Sequence, residues 1–386
     1  MKRTDVAAAA FCAIVVSCTS SGPKVVDELT VPGTSTAFTF DIGQVDQGRY
    51  YLADRTNKAL DVYDAQTGQL IAQIQGGFAG QTGANNDTSG PDGVNAIPGT
   101  NTVYVGDVSS VKVVDVGTKT VVKNIALTPP GSPKPSGLRA DEGCYDKDDN
   151  LMMFSHPADS PPFASFISTT TQTLVTQISF TGSAGLEACA YDPATKSFYV
   201  NNDGTPANPN GEVDVISAAS VVAHAPVVAK MYPLGDCGPT GLDLGPGNEM
   251  VVGCDPSGAA GGAPAGTPIV TLILDRTNGN KLASVPIGGA DQVAYDPVSN
   301  RYFVAARRWQ TGGVLVPAPA GGSLAVVPSL GIIDAGSRTL VMRLDAGNNA
   351  HSVAVDGAAH RVFVPHQPQS SNALFPAAGI TVYSTR

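Results

Sequence analysis

Residues Gly185 to Asp203 read GLEACAYDPATKSFYVNND. Apolar residues alternate through Glu187 to Tyr191 and again through Phe198 to Asn202, which is the pattern of two short strands. Asp192-Pro193 opens a tight turn between them. The same phrase returns as RADEGCYDKDDNLMMFSHP from Arg139, GADQVAYDPVSNRYFVAAR from Gly289 and NAHSVAVDGAAHRVFVPHQ from Asn349. Looser copies start at Phe38, Gly90 and Gly238. The copies are spaced about 46 to 60 residues apart, a period that marks a propeller or solenoid.

Each full repeat holds four strands. In the first, FTFDIGQV is followed by YYLAD, ALDVYD and LIAQIQG. The last repeat has three (HSVAV, RVFVPH and GITVYST) before the chain stops at Arg386. The isolated strand VVDELTV, Val25 to Val31, can supply the missing fourth, and closing a ring removes exposed sheet edges. The reading is an all-β chain: residues 1–18 as an export segment, 19–36 as a linker with the ring-closing strand, and 37–386 as a single seven-bladed β-propeller of four-stranded blades. First-to-second-strand turns are tight throughout. Second-to-third connections in repeats three to seven carry long Pro/Gly/Ala/Ser-rich insertions, which alternation of strand direction places on one face. Insertions gathered on one face mark a binding face, although surface loops also tolerate drift.

FYVNN at Phe198, VYVGD at Val103, YFVAA at Tyr302 and VFVPH at Val362 resemble the second-strand signature of YVTN-type β-propellers. The resemblance covers nearly all of the chain after the export segment. It implies the architecture, and it is similar to a wider group that includes lactonases and lyases as well as proteins without known chemistry. No motif beyond the repeat matches, so the resemblance carries no catalytic residue onto this sequence.

The net charge is −10 and the pI about 4.8, with no Lys/Arg stripe, so a phosphate backbone would be repelled and nucleic acid is not expected as a partner. At the N-terminus, Lys2 and Arg3 precede an apolar run from Val6 to Val16, too short to span a bilayer. The run ends VVSCTSSG, which resembles a bacterial lipobox with Cys18 as the lipidated residue; a plain secretory signal is the alternative. Either places the mature chain, read as a monomer, in the periplasm or at the outer membrane, touching a membrane only through that anchor. Cys144, Cys189, Cys237 and Cys254 remain, an even number in an oxidising compartment. Strand register puts Cys237 beside Cys254, and lets Cys144 meet Cys189 between adjacent blades.

Alignment of the copies gives Asp41, Asp92, Asp141, Glu187, Thr240, Asp291 and His351 at the start of the inner strands. These should ring the mouth of the central channel on the long-loop face. Like charges held close must take up protons, pair with cations or bind a metal. Asp41, Asp92, Asp141, Glu187, Asp291 and His351 are therefore candidate ligands for a divalent metal. Oxygen donors suit Ca²⁺; added imidazoles suit Zn²⁺ or Mn²⁺. The same acids can instead staple neighbouring blades. The second strands end at Asp54, Asp107, His156, Asn202 and His366, with Arg307 one residue further on in its own repeat. His351, Glu187, His156 and His366 are candidate acid–base groups. Asn202, Asp54, Asp107, Arg307 and the sole tryptophan, Trp309, are candidate ligand contacts. No P-loop, dinucleotide fingerprint, haem-attachment motif or nucleophile elbow is present. Two functions follow. One is an exported propeller binding a small molecule, metal or protein at the channel mouth. The other is a metal-dependent lactonase- or lyase-like enzyme acting on a lactone or sugar acid.

Overall fold

The computed structural model describes residues 22–34 and 37–386. The export segment and its lipidation residue Cys18 lie outside the described residues. The described residues form seven four-stranded antiparallel sheets and one two-stranded hairpin. Helix is confined, among the described residues, to one turn-and-a-half at Ala218–Val222. In the first six sheets the strands run outward in chain order, from Phe40–Asp46, Arg49–Asp54, Ala59–Asp64 and Leu70–Gln75 in blade one to Val293–Asp296, Arg301–Ala306, Ser329–Asp334 and Thr339–Asp345 in blade six. The seventh comprises Ala354–Asp356, Arg361–His366, Gly379–Ser384 and, as its outer strand, Val25–Leu29 paired antiparallel to Gly379–Ser384.

Burial explains the composition of each layer. The second strands are buried on both faces, as in Leu151–His156, so they read as continuous apolar runs. Outer strands such as Thr339–Asp345 alternate between exposed and half-buried. The core is a set of clusters between neighbouring blades. Where blade seven meets blade one, Phe38, Phe40 and Tyr50 pack with Phe363, Ile380 and Val382, and the Tyr50 and Phe363 rings stack with centroids 4.6 Å apart. At the tight turns an aspartate fixes the backbone: Asp192 accepts from the N–H groups of Ala194 and Thr195, both at 3.1 Å.

Neighbouring inner strands are tied by side chains around the channel. Gln44 accepts from the Ala96 N–H at 2.6 Å, and Asp243 from the Tyr295 N–H at 2.7 Å. Gln292 accepts from the Val353 N–H at 2.9 Å and donates to the Gly43 carbonyl at 2.9 Å. Ser352 lies 2.8 Å from the Gly43 N–H. Between blades three and four the tie is covalent, the Cys144–Cys189 disulfide. Cys237–Cys254 joins the entry of blade five to the end of its second strand. Both pairings are those the strand register gave.

Candidate functional site

The inner strands begin on the face that carries the long connections. There the channel widens into a polar cavity of about 160 Å³, bordered by Asp41, Asp141, Glu187, Asp291 and His351 from the inner-strand starts. Asp92 lies fully buried beside it. One oxygen each of Asp41, Asp92 and Asp141 falls within 4.8 Å of the others. Three arginines stand among these acids. Arg55 bonds Asp92 and lies 3.2 Å from Asp41; Arg139 is 2.9 Å from Asp141; Arg307 is 3.1 Å from Asp291. Arg139 also reaches Asp87, at 3.6 Å, on the hairpin of Gly80–Thr82 and Asn85–Gly90, whose Asn86 borders the cavity.

These contacts divide the carboxyl groups. Burial raises the Asp41 pKa, but Arg55 and His351 outweigh it and hold the group below the ordinary carboxylate range. Burial dominates at Asp92, which stays well above that range although Arg55 opposes it, because Asp41 and Asp141 lie close. One guanidinium between two buried carboxyls thus leaves one ionised and the other protonated. Burial raises Asp141 to about 7 against the pull of Arg139. Glu187 and Glu142 are raised well above their usual value, first by burial and then by neighbouring acids. Among the described residues neither carboxyl group has a hydrogen-bond or ion-pair partner, although the Glu142 carbonyl accepts from the Ser155 N–H at 2.9 Å. Asp203, behind Glu187, is raised to about 7 by burial and Asp291 against Arg139. His351 stacks on Phe40 at 4.6 Å. Its Nδ1 is 2.8 Å from the Asn349 carbonyl and its Nε2 is 3.5 Å from Asp41.

The residues that end the second strands stand elsewhere. A second strand lies one strand spacing, roughly 4.8 Å, further from the axis, and its terminal side chains find partners within their own blade. His156 Nε2 is 2.9 Å from the Ser165 hydroxyl, and its ring stacks on Phe163 at 3.9 Å. Burial depresses its pKa to about 3, so it is neutral. Asn202 donates to Asp214 at 2.8 Å and accepts from Ser183 at 2.8 Å. Asp54 accepts from the Asn57 N–H at 2.9 Å. Asp107 accepts from the Ala79 N–H at 3.1 Å and pairs with Lys112 at 3.2 Å. His366 Nε2 is 2.7 Å from Glu28 on the N-terminal strand. None of these five borders the cavity. Trp309 packs half-buried into the core between blades five and six, so of the candidate ligand contacts only Arg307 borders the cavity. Arg55, Arg139, Glu142 and Asn86 were not singled out from the sequence. Arg55 and Arg307 share a signal: each is the first residue after a second strand, and each is long enough to reach the axis.

A larger cavity, about 540 Å³, occupies the other end of the channel and opens among the tight turns near Pro98, Lys147 and Pro193. Ile42 and Glu142 border both cavities and form the waist between them.

No family model and no curated protein matches the chain. Among solved structures, a chain of Kuenenia stuttgartiensis hydrazine synthase aligns with a TM-score of 0.64 at 15% identity, covering 95% of this chain and 98% of its own. A chain of a mitotic checkpoint complex aligns with a TM-score of 0.62 at 11% identity, covering 98% of each. At these identities the likeness shows a shared propeller fold and nothing further.

Proposed function

We propose that this chain is an exported binding propeller that takes a small polar ligand at the long-loop mouth of its channel. The observation that carries the reading is the imbalance of that cavity. Arg55, Arg139 and Arg307 answer Asp41 with Asp92, Asp141 and Asp291, while the Glu187 carboxyl has no partner among the described residues. Glu187 is half-buried at the cavity wall. An unpaired carboxyl largely withdrawn from water is costly, and a ligand presenting an amine or hydroxyl donors would satisfy it. Its anionic end, if it has one, would meet Arg307. Arg55 and Arg139 already stand as counterions to the Asp41–Asp92–Asp141 cluster, so the proposed ligand is organic rather than a divalent metal. Export is supported by the N-terminal sequence and by two disulfides, which persist in oxidising compartments. The YVTN-like strand signature is compatible with such a role.

The test is a thermal-shift screen of amino acids, sugars, sugar acids and lactones, with hits confirmed by calorimetry. A hit should be lost in Glu187→Gln while the melting profile stays cooperative. Hits that survive Glu187→Gln and Arg307→Ala alike would remove the proposal. The enzymatic reading, a lactonase- or lyase-like reaction with His351 as base, draws less support: both ring nitrogens already face protein oxygens. Turnover of a lactone in the same screen, abolished in His351→Gln, would restore it.

A further inference from the structure

We infer that the larger, lower cavity at the turn end of the channel is a second binding site, distinct from the long-loop mouth, for an organic cation with an apolar body, such as an arylalkylamine. Its volume of about 540 Å³ lies in the range of small-molecule pockets. Aliphatic side chains such as Val94, Leu242, Val293 and Val353 form part of its wall, between polar residues of the same inner strands. Nearer the turns come the rings of Tyr145, Tyr191 and Tyr295. Their hydroxyls are held outward, 3.3 Å from Asn150, 3.1 Å from Asp148 and 2.9 Å from Asn300, so the rings stand as fixed walls. Tyrosine faces attract cations.

The polar groups around this cavity fall into two sets. Gln44, Asp243 and Gln292 each have a side-chain oxygen engaged by a backbone N–H of the neighbouring blade, and the other Asp243 oxygen accepts from the Leu244 N–H. Glu142 and Asn95 do not. Glu142 is 8% exposed and Asn95 6% exposed, both border the cavity, and among the described residues neither side chain has a hydrogen-bond partner. They lie on adjacent blades, Asn95 on Val94–Ala96 and Glu142 immediately before Gly143–Asp146. An acid and an amide, buried beyond a neck of aliphatic and tyrosine surface, suit an ammonium head with its hydrocarbon behind it. The Glu142 carboxyl, raised by burial, gives up its proton only beside a cation, so a neutral analogue gains no ionic bond and an anionic one meets no cationic partner at this pair.

The experiment is calorimetric titration of the full exported chain with phenethylamine, 2-phenylethanol and phenylacetate as probes. Phenethylamine should bind at least about tenfold more tightly than either analogue. Glu142→Gln should lower its affinity by a similar factor, whereas Glu187→Gln at the opposite mouth should leave it unchanged. Should Glu142→Gln not fold, Ala294→Phe, which fills the lower cavity from its wall, must abolish phenethylamine binding instead. The inference is overturned if phenethylamine does not bind at millimolar concentration. It is equally overturned if the three probes bind alike, or if Glu187→Gln abolishes binding while Glu142→Gln spares it. It does not depend on a ligand at the long-loop mouth, so either site can fail alone.

Discussion

The two ends of the channel are built from the same inner strands, yet they solve the same problem in different ways. At the long-loop end, the first residue of most inner strands is ionisable and arginines pair with these acids, within a repeat at Arg139–Asp141 and Arg307–Asp291 and across blades at Arg55–Asp92, with Arg308–Asp255 joining blades five and six nearby. Toward the turns, neighbouring blades are joined mainly by uncharged side chains that meet backbone N–H groups, and by a disulfide. The difference teaches where function can reside. A tie between a side chain and a backbone group is complete within the protein. A ring of acids with too few arginines is not, and the remaining groups are available to a ligand.

Removing Arg55 should break this contrast most severely. Arg55→Met leaves Asp41 and Asp92 buried without their shared cation, and losing one partner of a buried pair costs about 3–5 kcal/mol. Urea denaturation should show that fall in stability. An unchanged midpoint would mean that the acids find other partners or are already protonated.

The same imbalance sets the response to pH. Asp141 and Asp203 are raised to about 7, against about 3.9 in an unfolded chain. Such groups favour the folded state fully below pH 4 and lose that contribution as pH rises through 7. Asp41, held low by Arg55 and His351, acts in the opposite sense and loses its contribution in acid. The melting temperature should therefore be higher at pH 5 than at pH 8. In Asp141→Asn the difference should shrink; a flat profile in the parent protein would contradict the assigned protonation.

The disulfides sharpen the comparison on the covalent side. Cys144–Cys189 closes 45 residues and Cys237–Cys254 closes 17. On the loop-entropy account these are worth about 4 and about 3 kcal/mol. Replacing each pair by serine should reproduce that order in denaturant midpoints. A larger loss from the shorter loop would assign it a role in holding the entry of blade five.

The repeat made the fold legible. Alternation, a tight turn and a constant period recur in every copy, and each reports burial of the same strand face. The ring of inner-strand residues was legible for the same reason, since equivalent positions must surround one axis. What could not be read by aligning copies was whatever breaks the symmetry. Arg139 precedes an inner strand in one blade only, and Glu142 takes a position held by Gly93 and Gly241 in its counterparts. The hairpin residues Asn85-Asn86-Asp87 lack any apolar alternation, so nothing marked them as a strand. His156, Asn202 and His366 looked equivalent to channel residues because they end on the same face. Their distance from the axis, which sequence does not encode, sends them to partners within their own blade instead, on the third strand for His156 and Asn202 and on the outer strand for His366.

The smallest effect should come from the uncharged end. Gln44 accepts from the Ala96 N–H at 2.6 Å, and Gln44→Met removes that acceptor without changing charge. A buried donor left unmet costs about 1–3 kcal/mol, but this one borders a wide cavity where water can replace the oxygen. The loss should therefore be about 1 kcal/mol or less, equal at pH 5 and pH 8, because no titrating group is altered. Paired with Arg55→Met at both pH values, this variant separates the two kinds of tie. One should be large and pH-dependent, the other small and flat. If Gln44→Met proves as costly or as pH-sensitive as Arg55→Met, the two ends share one electrostatic network, and a ligand at either mouth should alter affinity at the other.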